Sequence, residues 1–338
     1  MKYRKTGIIA AICAALLIFG IMTGCEKQKT PEAQDGDGPL ILRLAHMSAY
    51  SNSRNIAAEK FAADIEAKTD GKVKVEILPV VAGMRMGNLA QGLKKGGVQV
   101  LLDSVSSLET YCSLAAIEEV PFIYRDNDHF KKTWSGQLGK QILDEIGSQG
   151  GFELMGPMLR GTRYVTSQKA IETADDLKGL KIRVPSTKLY IKTWEKLGAN
   201  AMPFAFDVWD MFKKLQQGYV EAQENPLDIS YSANFHQVCP YLIKTRHVYN
   251  FDVFIFDQTF LAGLPADVKT AIREAAEDAA QWRTAYESDK EEEYIFKFKE
   301  KKVRVIEPDI KTFTDKLDGL LEDFPELQDY VARIQAVK

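Results

Sequence analysis

The densest chemical signal in the chain lies between residues 161 and 227. Arg183 sits inside an apolar strand pattern, between Ile182 and Val184, and Pro185 ends that strand at once. Alternate strand residues face opposite sides, so Arg183 points away from the side its two neighbours occupy. An arginine at a strand end in an open α/β sheet is well placed for a ligand in the cleft beyond. Its planar fork suits bidentate pairing with a carboxylate. Strand context alone leaves a second reading open, a surface arginine in an ion pair. Signs of turnover are missing: the sequence has no Gly-x-Ser-x-Gly, phosphate loop or dinucleotide glycine fingerprint. His46, His129, His236 and His247 are scattered without metal-ligand spacing. No metal, cofactor or catalytic set is expected, and His46 reads as a hydrogen-bonded structural residue.

The chain that must position Arg183 alternates strand-like and helix-like segments, the pattern of an α/β fold. Residues 41–46, 73–78 and 98–102 read as strands. Between them lie a helix over 55–68, with Ala57, Phe61 and Ile65 on one face, and another through Leu89 and Leu93. A helix from about 128 to 146 precedes strands at 152–158 and 164–166. Thr173 and Asp176 have capping-box spacing. Residues 180–184 form a strand, helices at 187–197 and 210–217 each close on a glycine, and 251–256 alternates like a strand returning to a sheet. From Ala266 to about Lys301 there is neither Pro nor Gly, and Val268, Ile272, Ala275, Ala279, Trp282 and Tyr286 keep helical spacing. Roughly 36 residues at 1.5 Å each give a helix of about 54 Å, long enough to bridge two domains.

The 338 residues carry a formal charge of −3, with 45% hydrophobic and 27% charged residues, which excludes a disordered chain and gives no basic surface for nucleic acid. Residues 1–24 read as a signal peptide: Lys2, Arg4 and Lys5, an uncharged apolar run from Gly7 to Ile21, then small residues before Cys25. The run is short for a spanning helix. The Met22-Thr23-Gly24-Cys25 end resembles the lipobox of bacterial lipoproteins, which implies lipidation at Cys25 and a flexible tether over 25–39. Without the leader's three cations the formal charge becomes −6. Cys112 and Cys239 remain in the body, where a disulfide is allowed but not required.

The motifs of residues 161–227 run in order: Gly161-Thr162-Arg163, Asp176-Leu177-Lys178-Gly179-Leu180-Lys181-Ile182-Arg183-Val184-Pro185, Leu197-Gly198-Ala199, Leu215-Gln216-Gln217-Gly218 and Gln223-Glu224-Asn225-Pro226. Together they resemble the solute receptors of tripartite ATP-independent periplasmic (TRAP) transporters, of C4-dicarboxylate-receptor type. The resemblance implies a type II-like periplasmic binding fold of two α/β domains with crossover strands and a long helix spanning both. It places one domain at 40–160 plus about 251–290, and the other at 161–250 plus about 291–338. It makes Arg183 the carboxylate anchor and puts Arg163 and Asn225 at ligand-contacting positions.

The implied partners are a small-molecule carboxylate, a small and a large membrane subunit, and the membrane through the anchor. The implied state is a periplasmic monomer without bound nucleic acid. Two positions depart from the family pattern. Residues 203–210 run two residues longer, with Asp210 at the place of a glutamate, and Leu102-Asp103-Ser104 stands where some sugar-acid binders carry one. Phe204, Phe206 and Trp209 either pack in the core or line the ligand's far end, in which case the acid carries an apolar or aromatic group. A receptor serving a sensor kinase, and an extracytoplasmic enzyme on a similar fold, are the alternatives.

Overall fold

The computed structural model describes residues 38–48, 50, 52–79, 86–205 and 207–338. The proposed leader, Cys25 and Phe206 lie outside them. The strands are β1 (Leu40–His46), β2 (Val73–Pro79), β3 (Val100–Ser104), β4 (Phe152–Ser167), β5 (Lys181–Val184), β6 (Asn200–Pro203), β7 (Ala222–Pro226), β8 (Tyr241–Ile243), β9 (Tyr249–Asp257) and β10 (Arg304–Ile306). The helices are α1 (Ser53–Lys68), α2 (Met86–Lys94), α3 (Asn127–Ser135), α4 (Gln137–Gly150), α5 (Lys188–Lys196), α6 (Val208–Gln216), α7 (Leu227–Ser232), α8 (Gln258–Ala262), α9 (Ala266–Glu300), α10 (Ile310–Lys316) and α11 (Pro325–Gln335).

Hydrogen bonding orders the strands β2-β1-β3-β9-β4-β7-β5-β6, with β8 on β4 and β10 on β8. Each half has a parallel set, β2-β1-β3 in one and β7-β5-β6 in the other. The antiparallel β4 and β9 join them: β4 pairs with β9 through Thr162, then with β7 and β8 from Arg163 onward. The sequence expectation of two strands at 152–158 and 164–166 is therefore replaced by one strand of 16 residues. Register shifts between Met155 and Met158, and between Leu159 and Gly161, bend it on the way. Gly156, at φ +58°, lies at the first shift, where an added Cβ would come 2.4 Å from the Ala276 carbonyl oxygen of α9. The expected domain boundary at 160/161 falls inside this continuous strand.

Apolar residues cover both faces of the first half. Leu159, Phe251, Val253 and Ile255 pack under α4 and α11, while Met155, Met158, Phe254 and Phe256 pack under α1 and α9. The long helix is present at 35 residues, about 52 Å. Its first half buries an alanine-rich stripe (Ala271, Ala275, Ala276, Ala279) beside β4 and α1. Ile295 and Phe298, near its end, join the core of the second half with Tyr164 and Leu242. The helix expected over 128–146 divides into α3 and α4 at Gly136, which is extended at φ −90°, ψ 174°. A Cβ at Gly139 would lie 2.6 Å from the Thr133 carbonyl oxygen, so this tight corner needs glycine. Cys112 and Cys239 are separate buried thiols.

Candidate functional site

The part of β4 that pairs with β7, together with the ends of β5 and β7, brings Arg163, Arg183 and Asn225 near one another. Register pairs Arg183 with Gln223, and Asn225 with Tyr164, the neighbour of Arg163. Alternation puts Arg183, Gln223 and Asn225 on one face and Arg163 and Glu224 on the other. The two faces meet at Asn225, whose Nδ2 donates to Gln223 Oε1 (2.5 Å) and whose Oδ1 accepts from Arg163 Nη2 (3.3 Å).

Arg183 is 4% exposed, and its Nε and Nη2 donate to the Phe204 carbonyl at 3.1 and 2.7 Å. Burial pulls its pKa down to about 10, against the attraction of Glu224, so it remains a cation at neutral pH. Arg163 is held differently. Its Nε and Nη2 grip both Glu224 carboxylate oxygens, Nη2 also donates to the Glu224 carbonyl (2.7 Å), and Nη1 donates to Asn250 Oδ1 (2.9 Å). The Tyr190 ring lies 5.2 Å from its guanidinium carbon. Of its five N–H groups, one on Nη1 has no acceptor among the described residues. Burial alone would raise the Glu224 carboxyl; Arg163 and the His247 hydrogen bond outweigh it and hold Glu224 below the usual range. His247 is kept neutral chiefly by burial, so its Nε2–H donates to Glu224 (3.0 Å) and its Nδ1 accepts from Thr245 (2.8 Å).

Trp209 and Asp210 lie on the first turn of α6. Trp209 is 77% exposed. Asp207 caps the helix by accepting from the Asp210 amide (2.8 Å), and the Asp210 carboxylate pairs with Lys214 one turn on. Met211 and Leu215 are the residues this helix buries. His46 is buried and bonded to Asn55 Oδ1 (3.1 Å), and burial lowers its pKa to about 4, in keeping with a structural role.

Further buried polar groups escaped the sequence reading. Glu118, in the 3₁₀ turn Ser113–Glu119, accepts from Asn250 Nδ2 (2.9 Å), the Phe251 amide (3.2 Å), the Ser106 amide (3.0 Å) and the Ser104 hydroxyl. Asp252 on β9 pairs with Arg54 of α1 and Arg283 of α9. A usable signal existed for two of these: Asp252 breaks an apolar strand pattern, and Arg283 interrupts the buried stripe of α9.

Glu119 gives a measurable pH effect. It is buried, and its Oε2 accepts from Thr187 at the start of α5 (2.6 Å). Burial, reinforced by Glu118 and Glu109, raises its pKa to about 8. Between about pH 4.5 and 8 the native state holds a proton that the unfolded chain has released, so this group's contribution to stability falls as pH rises through that window. Glu119→Gln, which keeps the acceptor, is expected to melt higher than the parent at pH 9 and nearly level with it at pH 4.5. Thermal melts at both pH values check this; an equal difference at the two would refute the assignment.

Two parallel-stranded halves joined by β4 and β9, with buried cations at the strand ends, define a two-domain α/β receptor fold of the type II periplasmic-binding kind. The family model for bacterial extracellular solute-binding protein, family 7, matches residues 44–327, and the chain belongs to that family. A solute-binding protein of Roseobacter denitrificans is 32% identical over 243 residues, covering 72% of this chain and 74% of its own. The 2,3-diketo-L-gulonate-binding periplasmic protein of Escherichia coli is 26% identical, with 88% and 92% covered. A TRAP periplasmic solute binding protein from R. denitrificans, solved with bound L-galactonate, matches at TM-score 0.77 and 29% identity, covering 88% of this chain and 99% of that one. Another from a Polaromonas species, bound to D-erythronate, matches at TM-score 0.78 and 26% identity, with 88% and 99% covered. Among the described residues no helix is long and apolar enough to cross a membrane.

Proposed function

We propose that this protein is the extracytoplasmic receptor of a TRAP transporter, that it captures an organic acid between its two domains, and that it hands the acid to membrane subunits without chemical change. The observation that carries the reading is Arg183, a buried cation at the end of β5 beside Arg163 and Asn225. In this reading Arg183 meets the carboxylate, Asn225 and the spare Arg163 N–H add hydrogen bonds, and the bound acid stabilises the closed arrangement of the domains. On the same reading Phe204 and Trp209, with Phe206 outside the described residues, belong to the ligand's far end, and Asp210, in place of the family's glutamate, bears on which acid is taken. Lipidation at Cys25 tethers a monomeric body to the membrane. The relatives solved with L-galactonate and D-erythronate support an acid as the ligand class.

Native mass spectrometry of the purified protein, followed by a thermal-shift panel of carboxylic acids and neutral sugars, tests this. Acids are expected to raise the melting temperature and neutral sugars to leave it unchanged. A response to neutral sugars alone would overturn the reading.

A further inference from the structure

Arg163 is held from two directions, and only one of them is an ion pair. Glu224 grips Nε and Nη2, while Nη1 donates to Asn250 Oδ1 at 2.9 Å. The guanidinium is planar, so the two grips together fix where the second Nη1 N–H points. That N–H has no acceptor among the described residues, and its direction decides what Arg163 can still bind.

Asn250 is itself turned by a residue of the first half. It stands opposite Gly161 in the β4–β9 register, so Arg163, two residues on, shares its face. An amide side chain has a donating and an accepting end of nearly the same shape, and its partners decide which way it faces. Asn250 Nδ2 donates to Glu118 Oε1 (2.9 Å) and reaches the Tyr190 hydroxyl oxygen (3.4 Å). Turned over, the amide would set its NH2 against the Arg163 N–H, two donors face to face.

Glu118 is fully buried in the 3₁₀ turn Ser113–Glu119, next to the core residue Ile117. Each of its oxygens meets a backbone N–H, Phe251 on Oε1 (3.2 Å) and Ser106 on Oε2 (3.0 Å). A backbone N–H cannot reverse its role, so Oε1 accepts whether or not Oε2 carries a proton. Oε2 also meets the Ser104 hydroxyl at the end of β3. One carboxyl group therefore ties together the end of β3, the start of β9 and, through a single amide, Arg163 on β4.

We propose that Glu118 is a positioning residue of the ligand site: by fixing the orientation of Asn250 it aims the remaining Nη1 N–H of Arg163. A side chain of the first half thereby sets the binding geometry of an arginine that the second half also holds. The effect on binding rests on the organic-acid reading above; the effect on Arg163 itself does not.

The test uses Glu118→Asp, which keeps the charge but withdraws the acceptor by one methylene, and Glu118→Ala, which removes it. Each is made alone and together with Asn250→Ala, and melts of the unliganded variants control for folding. NMR follows the nitrogen resonances of the Arg163 guanidinium without ligand. Both Glu118 variants are expected to move Nη1 and to leave Nε, held by Glu224, nearly in place. With Asn250→Ala present, Glu118→Asp is expected to add nothing. An Nη1 resonance unmoved by either Glu118 variant would overturn the proposal, as would one that Glu118→Asp moves equally with and without the Asn250 amide. Calorimetric titration with gluconate and with succinate reads the consequence. Glu118→Asp is expected to weaken both acids about three- to tenfold, with no further loss once Asn250→Ala is in place. Additive losses would count against the relay and overturn it. Arg183→Ala identifies a failure of the organic-acid reading instead: it lowers affinity for both acids if that reading holds and leaves it unchanged if not, while the resonances report on Glu118 in either case.

Discussion

Arg183→Ala is expected to weaken binding of the acid by roughly 30-fold or more, the effect of removing one partner of a buried charge pair at about 2–5 kcal/mol. The magnitude follows from where the cation is held. Arg183 is 4% exposed and its pKa is drawn down to about 10, first by burial. The fold thus keeps a charge in surroundings that disfavour it, and the Phe204 carbonyl is a neutral acceptor. A ligand carboxylate brings the full negative charge that offsets this cost. Melting of the unliganded variant separates a loss of binding from a loss of folding. Arg183→Lys keeps the charge but loses the planar fork, and it is also expected to bind poorly. Titration calorimetry of both variants checks these outcomes. Normal affinity in either variant would remove Arg183 as the anchor.

Asp252→Ala is expected to produce the larger loss of stability, about 3–5 kcal/mol, or roughly 5–10 °C in melting temperature. Asp252 is fully buried and receives Arg54 Nε on Oδ2 (2.8 Å), Arg54 Nη2 on Oδ1 (2.5 Å) and Arg283 Nη1. Removing the carboxylate leaves two buried guanidinium groups, one with, among the described residues, only Asp103 at 3.5 Å and the other with Ser53 at 3.1 Å. The pH dependence has a definite sign. Burial alone would raise the Asp252 pKa, but Arg54 and Arg283 overcome it and hold the carboxyl far below the usual range. Its stabilisation is therefore complete above the unfolded value, about pH 4, and is lost as pH falls toward the folded value. Asp252→Asn should flatten the acid limb of stability below pH 4 while sharing the neutral-pH loss. An unchanged acid limb in that variant would show that the pair contributes nothing net.

The legible part of this molecule was whatever repeats along the chain. The 35-residue helix could be read because no Pro or Gly interrupts it and its apolar spacing persists. Arg183 could be read because a charge inside an apolar strand is rare. The continuity of β4 could not, because Gly156, Pro157, Arg160 and Gly161 resemble a break, and only pairing with β9 holds the strand together across them. The commitment of Arg163 to Glu224 was equally hidden. The two residues lie 61 positions apart and meet through the pairing of β4 with β7. A motif places both residues near the site, but only register decides that one neutralises the other. Trp209 shows the same limit, since its place on the exposed turn of α6 depends on which side of that helix Met211 and Leu215 occupy.

The position of β9 has a consequence for how the chain acquires its shape. This strand lies between β3 and β4, so Leu101 pairs with Ile255 and Leu154 pairs with the same Ile255 from the other side. The central gap of the first half cannot be filled until residues beyond 249 have been made. Such distant pairings fold slowly because the intervening chain must first be brought together. A chain passing through a membrane pore in order, N-terminus first, would therefore carry an incomplete sheet for most of its passage. The strand that completes the sheet of the first half is thus contributed by a late part of the chain.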